Sequence, residues 1–474
     1  ELEQFHYASE KEVVALWVCT QCQKTIPANA KPLCDCGGEA RLKEIRGSTP
    51  ASRFLVLELA ERLPFEPRIL GYLRLDPPIP RMHRRTPEGV ERDIRERIFP
   101  RDWFHPTYEG GADWQKALDR VNTAAARIAR VVVHPDYRSE GFGALLVRVA
   151  LEWAKERGAP EARREKHLVY TIAQMARYHP FFEKVGFRYL FDTASGRPVL
   201  FYPLTEEAEA HLERFLREDP YAKAHGGRLY KPRFGRVPGL PGPIRLAGVH
   251  KAYRSHLDLE GLSREVQEAL LAFGVKARVV ERAVLRGASL EIPPGSLVVL
   301  AGASGAGKTT LLRLLLGEAP DAGEVAVPPG RRVAYIPGER EVDLGEAPIL
   351  EAVYRRLKDV GAAIEVLNRV GLSDAVLYRA RPHELSTGQR ERFRLALLLA
   401  ERPDLLLIDE FAAHLDVPTA RRVALGLGKL CREAGVTLVA ATHRPEVVAA
   451  LDPDLLVYVG YGGLTTVPRR GPRT

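Results

Sequence analysis

The chain has 474 residues, carries 70 lysines and arginines against 61 acidic residues, and has a formal net charge of +9. That length implies two to four domains, each with room for its own core. No stretch approaches the ~20 apolar residues of a spanning helix, which excludes a helical membrane protein. No signal-peptide pattern opens the sequence at Glu1, and a cytoplasmic protein is expected.

Near the N-terminus, Cys19-Thr-Gln-Cys22 and Cys34-Asp-Cys36-Gly-Gly place four thiols as two close pairs across a short loop. Tetrahedral Zn2+ takes four such ligands, so a zinc ribbon is expected within residues 1–46. The competing reading, a pair of disulfides, is disfavoured in a reducing compartment. Cys431 sits in a helical pattern and reads as an ordinary buried thiol. Farther on, Arg81, Arg84, Arg85, Arg92, Arg95, Arg97 and Arg101 alternate with Glu88, Glu91 and Glu96. Two readings stand side by side: a basic wall that holds phosphates by counterion release, or a solvated face of mixed charge.

The next signal is a strand over Arg127–Val133, then Arg138-Ser139-Glu140-Gly141-Phe142-Gly143, then a helix from Ala144 to Arg157 that stops at Gly158. Glycines at a helix start leave N–H groups facing an anion, which suits a pyrophosphate. A second segment, Pro180-Phe-Phe182-Glu183-Lys-Val-Gly186-Phe187, joins helix to strand. Together these segments make residues 47–205 resemble the GNAT acyltransferases, while the run Asn122–Arg130, the strand Val131-Val-Val-His-Pro-Asp-Tyr-Arg138 and the segment Met175–Lys184 look closest to a GNAT branch that includes phage enzymes modifying DNA adenine, and to cassette-ATPase fusions. The resemblance implies that acetyl-CoA, or another acyl-CoA, lies along Val132, Val133, Arg138, Ser139, Glu140, Gly141, Phe142, Gly143, Ala144 and Phe182. One departure bears on mechanism: Phe182 stands where many GNAT enzymes carry a tyrosine that protonates the leaving thiolate. Tyr178, Tyr170 and His179 are the alternatives, each with a plain packing role as its rival. An acceptor amine must lose a proton, which asks either for a base such as Glu183 or for a weakly basic nitrogen like that of a nucleobase.

Residues 206–242 read as a charged helix, Glu206–Glu218, and a linker rich in Pro, Gly, Lys and Arg. The final region, 243–474, opens with Tyr253 and an added charged, helix-prone stretch from Ser263 to Arg286. An apolar run, Ser296–Ala301, then leads into Gly302-Ala-Ser304-Gly305-Ala306-Gly307-Lys308-Thr309-Thr310 and a helical run. This is the strand, loop and helix order of a phosphate cradle: backbone N–H groups meet the oxygens, Lys308 reaches the β/γ-phosphates, and Thr309 ligates Mg2+. Leu405–Ile408 reads as a buried strand ending in Asp409 and Glu410, one carboxylate near the magnesium and the next near an attacking water.

With Leu385-Ser386-Thr-Gly388-Gln389 before that strand, Leu415-Asp416 after it, and His443 at the end of Val436–Thr442, this region resembles the ATP-binding-cassette (ABC) ATPases. The resemblance implies that Ser386, Gly388 and Gln389 cap ATP from a second subunit, Glu410 is the general base, His443 is a switch histidine, Tyr253 stacks on adenine, and Asp409 joins Thr309 at the magnesium. Here too there is a departure: after Val333-Ala-Tyr-Ile-Pro337 the family has a glutamine, and this chain has Gly338.

The expected architecture is therefore α/β and multidomain: a small four-cysteine zinc ribbon, a GNAT acyltransferase fold and an ABC-type P-loop ATPase fold. The expected function is an ATP-hydrolysing, acyl-CoA-dependent transferase acting on nucleic acid, dimerising through its ABC domains and independent of membranes. Two alternatives belong to other classes: a nucleic-acid clamp whose GNAT domain no longer catalyses, and an acetyltransferase for proteins or small amines regulated by the ATPase.

Overall fold

The computed structural model describes residues 15–28, 31–45, 51–61, 64, 66–105, 122–134, 137, 141–257, 259–276, 278–338, 343–460 and 462–469. The chain divides into two compact units, Glu1–Lys231 and Pro232–Thr474.

The first unit begins with a three-stranded antiparallel sheet built from β1 (Ala15–Cys19), β2 (Thr25–Pro27) and β3 (Ala40–Ile45), with β1 in the middle. Its main sheet has six strands: β4 (Arg53–Glu58), β5 (Ile69–Asp76), β8 (Ala125–Val133), β9 (Leu168–Ile172), β10 (Arg188–Asp192) and β11 (Pro198–Pro203), in the order β10-β11-β9-β8-β5-β4. A separate hairpin, β6 (Arg84–Thr86) with β7 (Gly89–Glu91), precedes helix α1 (Arg95–Ile98). Only β8 and β9 run parallel, and their pairing covers just Ala125–Ile128 against Leu168–Thr171. Beyond Ile128, strand β8 stays paired with β5 alone, so the sheet opens at its centre. Thr171 Oγ1 closes the paired end, donating to the Ile128 carbonyl at 3.1 Å.

One face of this sheet is covered by α2 (Phe142–Arg157), which buries Leu146, Val147, Ala150, Leu151 and Ala154 at helical spacing against Leu73, Leu75, Ala126 and Ile128. Gly158, at φ 61°, ends that helix in the left-handed conformation that glycine adopts without strain. A short helix, α3 (Phe181–Val185), follows β9. The opposite face packs Ile94, Phe99, Trp103 and Phe104 with Tyr170, Phe201 and the inner side of α4 (Glu206–Glu218). Helix α5 (Pro220–His225) begins at Asp219, whose carboxylate accepts from the N–H groups of Tyr221 and Ala222.

The second unit has two sheets. Strands β12 (Ile244–Leu257), β13 (Arg278–Ile292) and β15 (Ala322–Ala326) form an antiparallel sheet. The central sheet is built from β14 (Leu297–Ala301), β16 (Val333–Ile336), β17 (Leu405–Ile408), β18 (Thr437–Ala441), β19 (Leu455–Gly460) and β20 (Gly463–Pro468), in the order β16-β17-β18-β14-β19-β20. Its first five strands are parallel and β20 is antiparallel. Strands β17 and β18 are buried along their whole length, which is why they read as unbroken apolar runs.

One core of this unit unites α8 (Ile349–Leu357), α9 (Val360–Arg369), α10 (Thr387–Ala400), α11 (Val417–Ala434) and α12 (Pro445–Leu451) with one side of the sheet. The other core joins the antiparallel sheet and α7 (Lys308–Leu315) to the other side. Cys431 is buried in α11, as its helical pattern suggests.

The stretch expected as a linker contains ordered backbone. In the first unit Leu229 and Tyr230 donate their N–H groups to the two oxygens of Glu183 at 2.8 and 3.2 Å. In the second, Phe234, Val237 and Leu240 are buried, and Glu365 accepts from the N–H groups of Arg233 and Phe234. Of the stretch Ser263–Arg286 expected to favour helix, only Arg264–Ala272 forms one, α6, which buries none of its residues and is followed by Phe273 at 86% exposure; from Arg278 the chain is instead strand β13, paired with β12.

Candidate functional site

In the second unit the phosphate loop stands where strand β14 gives way to α7. Gly307 is the residue before the helix, at φ 109°, and a Cβ there would lie 2.5 Å from Val284 Cγ1. Gly302, at φ 149°, lies so near the Val459 carbonyl that a Cβ would approach it to 2.2 Å. The loop is thus shaped by contacts to two other strands as well as by its own composition. Ser304 and Gly305 are exposed, Ala306 is partly buried, and Thr310 is buried beneath the helix start. Lys308 Nζ donates to the carbonyls of Gly302 and Ala303, both at 2.8 Å. Burial lowers its pKa, while Asp409 and Glu410 pull it back up.

Strand β17 delivers Asp409 and Glu410 to the same place. Asp409 Oδ2 accepts from Thr309 Oγ1 at 2.7 Å, which joins the two expected magnesium ligands across the top of the sheet. The backbone of Glu410 is left-handed at φ 49°, and so is that of Ala412 at φ 63°. Such non-glycine residues are uncommon and concentrate at functional sites. Gly338, at the end of β16, faces Glu410: a Cβ on it would sit 3.1 Å from Glu410 Oε2. The position where the ABC family has a glutamine is therefore filled from the other side by the Glu410 side chain.

Ser386 caps helix α10, accepting from the Gln389 N–H at 3.3 Å, while Gln389 Oε1 accepts from the Ser386 N–H at 2.9 Å. This reciprocal pair is a capping box, so both side chains have a structural role within one chain. Gly388 packs against Leu415, where a Cβ would come within 3.1 Å. His443 is exposed beyond β18. Its neighbour Arg444 belongs to no motif read from the sequence, yet Nη1 donates to the carbonyls of Ala412 and Leu415 at 2.7 and 2.5 Å, and Nε to Glu446 at 2.7 Å. It ties the loop that follows Glu410 to the loop that carries His443. Tyr253 is half-buried on β12, with Lys251 Nζ 5.7 Å from its ring centroid and its hydroxyl donating to Glu318 at 3.2 Å.

In the first unit, Val132 and Val133 end β8 at the opened centre of the sheet, and Gly141, Phe142, Gly143 and Ala144 begin α2. Arg138, Ser139 and Glu140 lie outside the described residues. Gly141 sits at φ 88° with no atom of the described residues within 4 Å of a Cβ position, so its backbone conformation is what calls for glycine. Gly143 differs: a Cβ would lie 3.1 Å from the Phe181 ring. Phe182 turns inward, 5% exposed, onto Phe181 and Phe187 at 4.8 and 5.3 Å between ring centroids. Of the two adjacent phenylalanines, Phe181 is therefore the one at the loop.

The alternatives for proton transfer fare unequally. Tyr170 is fully buried and its hydroxyl accepts from the Ile79 N–H at 2.8 Å. Both oxygens of Glu183 are engaged by Leu229 and Tyr230. His179 has a buried Nδ1 without a hydrogen-bond partner among the described residues, and burial, with Lys184 adding, lowers its pKa to about 4. Between about 6.5 and about 4 the unfolded chain binds a proton at this ring that the folded chain refuses, so stability is lost as pH falls through that window. Urea midpoints at about pH 7 and about pH 5 should differ less in His179→Gln than in the parent chain; an unchanged difference would show that this ring does not set the slope.

The four thiols of Cys19, Cys22, Cys34 and Cys36 lie within 4.8 Å of one another. The closest separations, 3.4–3.5 Å, exceed a disulfide bond of about 2.05 Å, and all four are free. Gly38 makes room for them, since a Cβ would lie 2.6 Å from Cys19 Sγ. The set has the number and chemistry of a tetrahedral zinc site.

The arginine-rich segment divides into two populations. Arg84 is buried with ion pairs to Asp219 at 2.9 Å and Glu91 at 2.6 Å, and Arg95 is buried with its guanidinium 4.2 Å from the Phe104 ring centroid. Arg97 pairs with Glu91, and Arg101 with Glu96 at 3.4 Å. Arg81, Arg85 and Arg92 have no ion pair among the described residues. Most of the expected basic wall is thus internal or neutralised, and three of its seven arginines have no ion pair among the described residues.

Two family models match the chain, one within each unit. A sequence model described as ABC transporter matches residues 285–413, and one described as an acetyltransferase (GNAT) domain matches residues 109–189. The methionine import ATP-binding protein of Mesorhizobium japonicum is 34% identical over 209 residues, covering 39% of this chain and 56% of that protein. The chain thus spans little more than half of that relative. The zinc import ATP-binding protein of Ruegeria pomeroyi is 34% identical over 198 residues, 40% of this chain and 75% of that protein. A lipoprotein-releasing system ATP-binding protein of Rhodospirillum rubrum is 35% identical over 193 residues, with 36% and 84% covered. Among solved structures, the dimeric structure of a bacterial ABC transporter cassette matches 48% of this chain and all of its own, at 21% identity and a TM-score of 0.36. The chain belongs to the ABC ATPase family through its second unit, and its first unit carries an acetyltransferase domain of the GNAT type.

Proposed function

We propose that the protein is an ATP-hydrolysing, acyl-CoA-dependent acyltransferase that acts on nucleic acid, with ATP-driven dimerisation of its ABC region coupled to handling of that substrate. The observation that carries the reading is the pair of anion loops. In each unit a left-handed glycine, Gly141 or Gly307, stands before a helix that no side chain of the N-cap residue caps, the kind of helix start whose first N–H groups suit an anion. In the ATPase unit, Lys308 and the phosphate loop bind the β- and γ-phosphates, Thr309 and Asp409 hold Mg2+, and Glu410 takes the proton from the attacking water. Tyr253 holds the base and His443 steadies the γ-phosphate. Each chain has one phosphate loop and one Ser386–Gln389 segment, so two chains sandwich two nucleotides. Working boundaries are 1–46, 47–205, 206–242 and 243–474, and a cytoplasmic location suits the reduced thiols.

The nucleic-acid part rests on the net charge of +9, on Arg81, Arg85 and Arg92, and on a four-cysteine module that we propose binds Zn2+. Metal analysis of the purified chain should find about one zinc per chain, and Cys22→Ser should lower that content; zinc-free protein with unchanged folding would remove the ribbon from the proposal.

A second reading is favoured by specific geometry. Phe182 and Tyr170 are core residues and Glu183 is occupied, which leaves few proton-transfer groups and suits a clamp whose GNAT domain only recognises a partner. Transfer of radiolabel from acetyl-CoA to tRNA, duplex DNA, single-stranded DNA or a protein pool, with and without ATP, separates the readings. Label on a nucleic acid supports the enzyme, label on protein alone points to a protein acetyltransferase, bound acetyl-CoA with no transfer points to a missing acceptor or another acyl donor, and no acetyl-CoA binding favours the clamp.

A further inference from the structure

We infer that Arg282 is a second cationic ligand of the nucleotide's phosphate chain, reaching the phosphate loop from strand β13. The inference rests on the reading of the second unit as an ATP site. In the β12–β13 hairpin, Arg282 lies directly across from Tyr253. The pairing shifts register at Val284, between Lys251–Leu285 and Ala252–Ala283, so an irregularity in the ladder and not simple alternation brings Val284 beside Arg282. Both meet the loop: Val284 closes against Gly307, and Arg282 Nη2 donates to the Gly305 carbonyl at 2.9 Å. A Cβ on Gly305 would lie 3.3 Å from that nitrogen, so the guanidinium rests directly on the turn that cradles the phosphates.

The charge around Arg282 is equally specific. Its neighbour Glu281 is engaged by Arg254 at 2.8 Å, and Lys251 is held by Glu318 and Asp321 at 3.0 and 3.7 Å. No carboxylate pairs with Arg282 among the described residues, and the side chain is exposed. A guanidinium presents five N–H donors in a planar fork, and here one is spent on a neutral carbonyl. A phosphate oxygen is a stronger, charge-assisted partner that accepts two of those donors at once. A polyphosphate seated over Gly305 and Gly307 therefore draws Arg282 off the carbonyl and onto its own oxygens. The ligand class is a nucleoside di- or triphosphate, and the contribution belongs to the phosphates rather than to the base.

The test is calorimetric titration of the full chain with ATP, ADP and adenosine, comparing the parent with Arg282→Ala and Arg282→Lys and using Lys308→Ala as the control for the site. Arg282→Ala should weaken ATP and ADP by roughly tenfold or more, with adenosine unchanged and lysine restoring part of the loss. Unchanged ATP and ADP affinities in Arg282→Ala, beside a Lys308→Ala variant that has lost binding, would overturn the inference and leave the ATP site standing. An equal loss for adenosine would also overturn it, since the effect would then run through Tyr253. A parent chain that binds no ATP would remove the reading beneath it.

Discussion

Replacing Glu410 by glutamine should lower ATP hydrolysis by about a hundredfold or more while ATP binding survives, the range over which a positioned general base acts. The carboxylate stands at the end of β17 beside Asp409, which holds Thr309, and below the helix start that carries Lys308. Glutamine keeps the size and the hydrogen-bonding reach of the side chain but cannot accept the proton of the attacking water. The left-handed backbone at this position is retained as well, so folding is expected to be unaffected. Because hydrolysis is what would release the closed state, the variant should accumulate as an ATP-bound dimer on size exclusion with ATP and Mg2+. A monomer at every ATP concentration would sink the sandwich, and hydrolysis at the parent rate would remove Glu410 from the chemistry. Gly338 sharpens the expectation: with no side chain at that position, the Glu410 carboxyl group has no neighbour there to take over its role.

The second large effect is expected from Gly141→Asp, which should abolish acyl-CoA binding without unfolding the first unit. Gly141 is left-handed at φ 88°, a region that aspartate tolerates better than most residues. No atom of the described residues lies within 4 Å of its Cβ position, so the added Cβ meets no clash among them. What changes is charge: a carboxylate is placed at the N-terminus of α2, where the proposal puts a pyrophosphate. Like charges at such close range, together with competition for the free N–H groups, are expected to lower affinity by about a hundredfold. Calorimetry with acetyl-CoA reads the loss and a thermal melt checks the fold. Retained binding would move the cofactor away from this loop. Gly143→Ala makes a useful contrast, because its Cβ would press on the Phe181 ring and the loss there would come from packing.

The features legible in the amino-acid order were local ones. The glycine loops, the strands that precede them and the starts of the helices that follow are properties of a few contiguous residues, so the two loop–helix junctions and the four-cysteine cluster could be read from spacing. Ser386 and Gln389 likewise announce a helix start as a capping box, independent of any signature role. Folding settled what depends on residues far apart in the chain. It placed Arg282 on the phosphate loop through the β12–β13 register, and it anchored the loop after Glu410 to Arg444. It also spent Arg84, Arg95, Arg97 and Arg101 on internal partners, so that only three of the seven arginines read as a basic wall lack such a partner among the described residues. The physical reason is the same each time. Side-chain charge and hydrogen-bonding capacity are visible in sequence, but whether they are already satisfied is set by burial and by cross-strand neighbours, and those exist only once the sheets have formed.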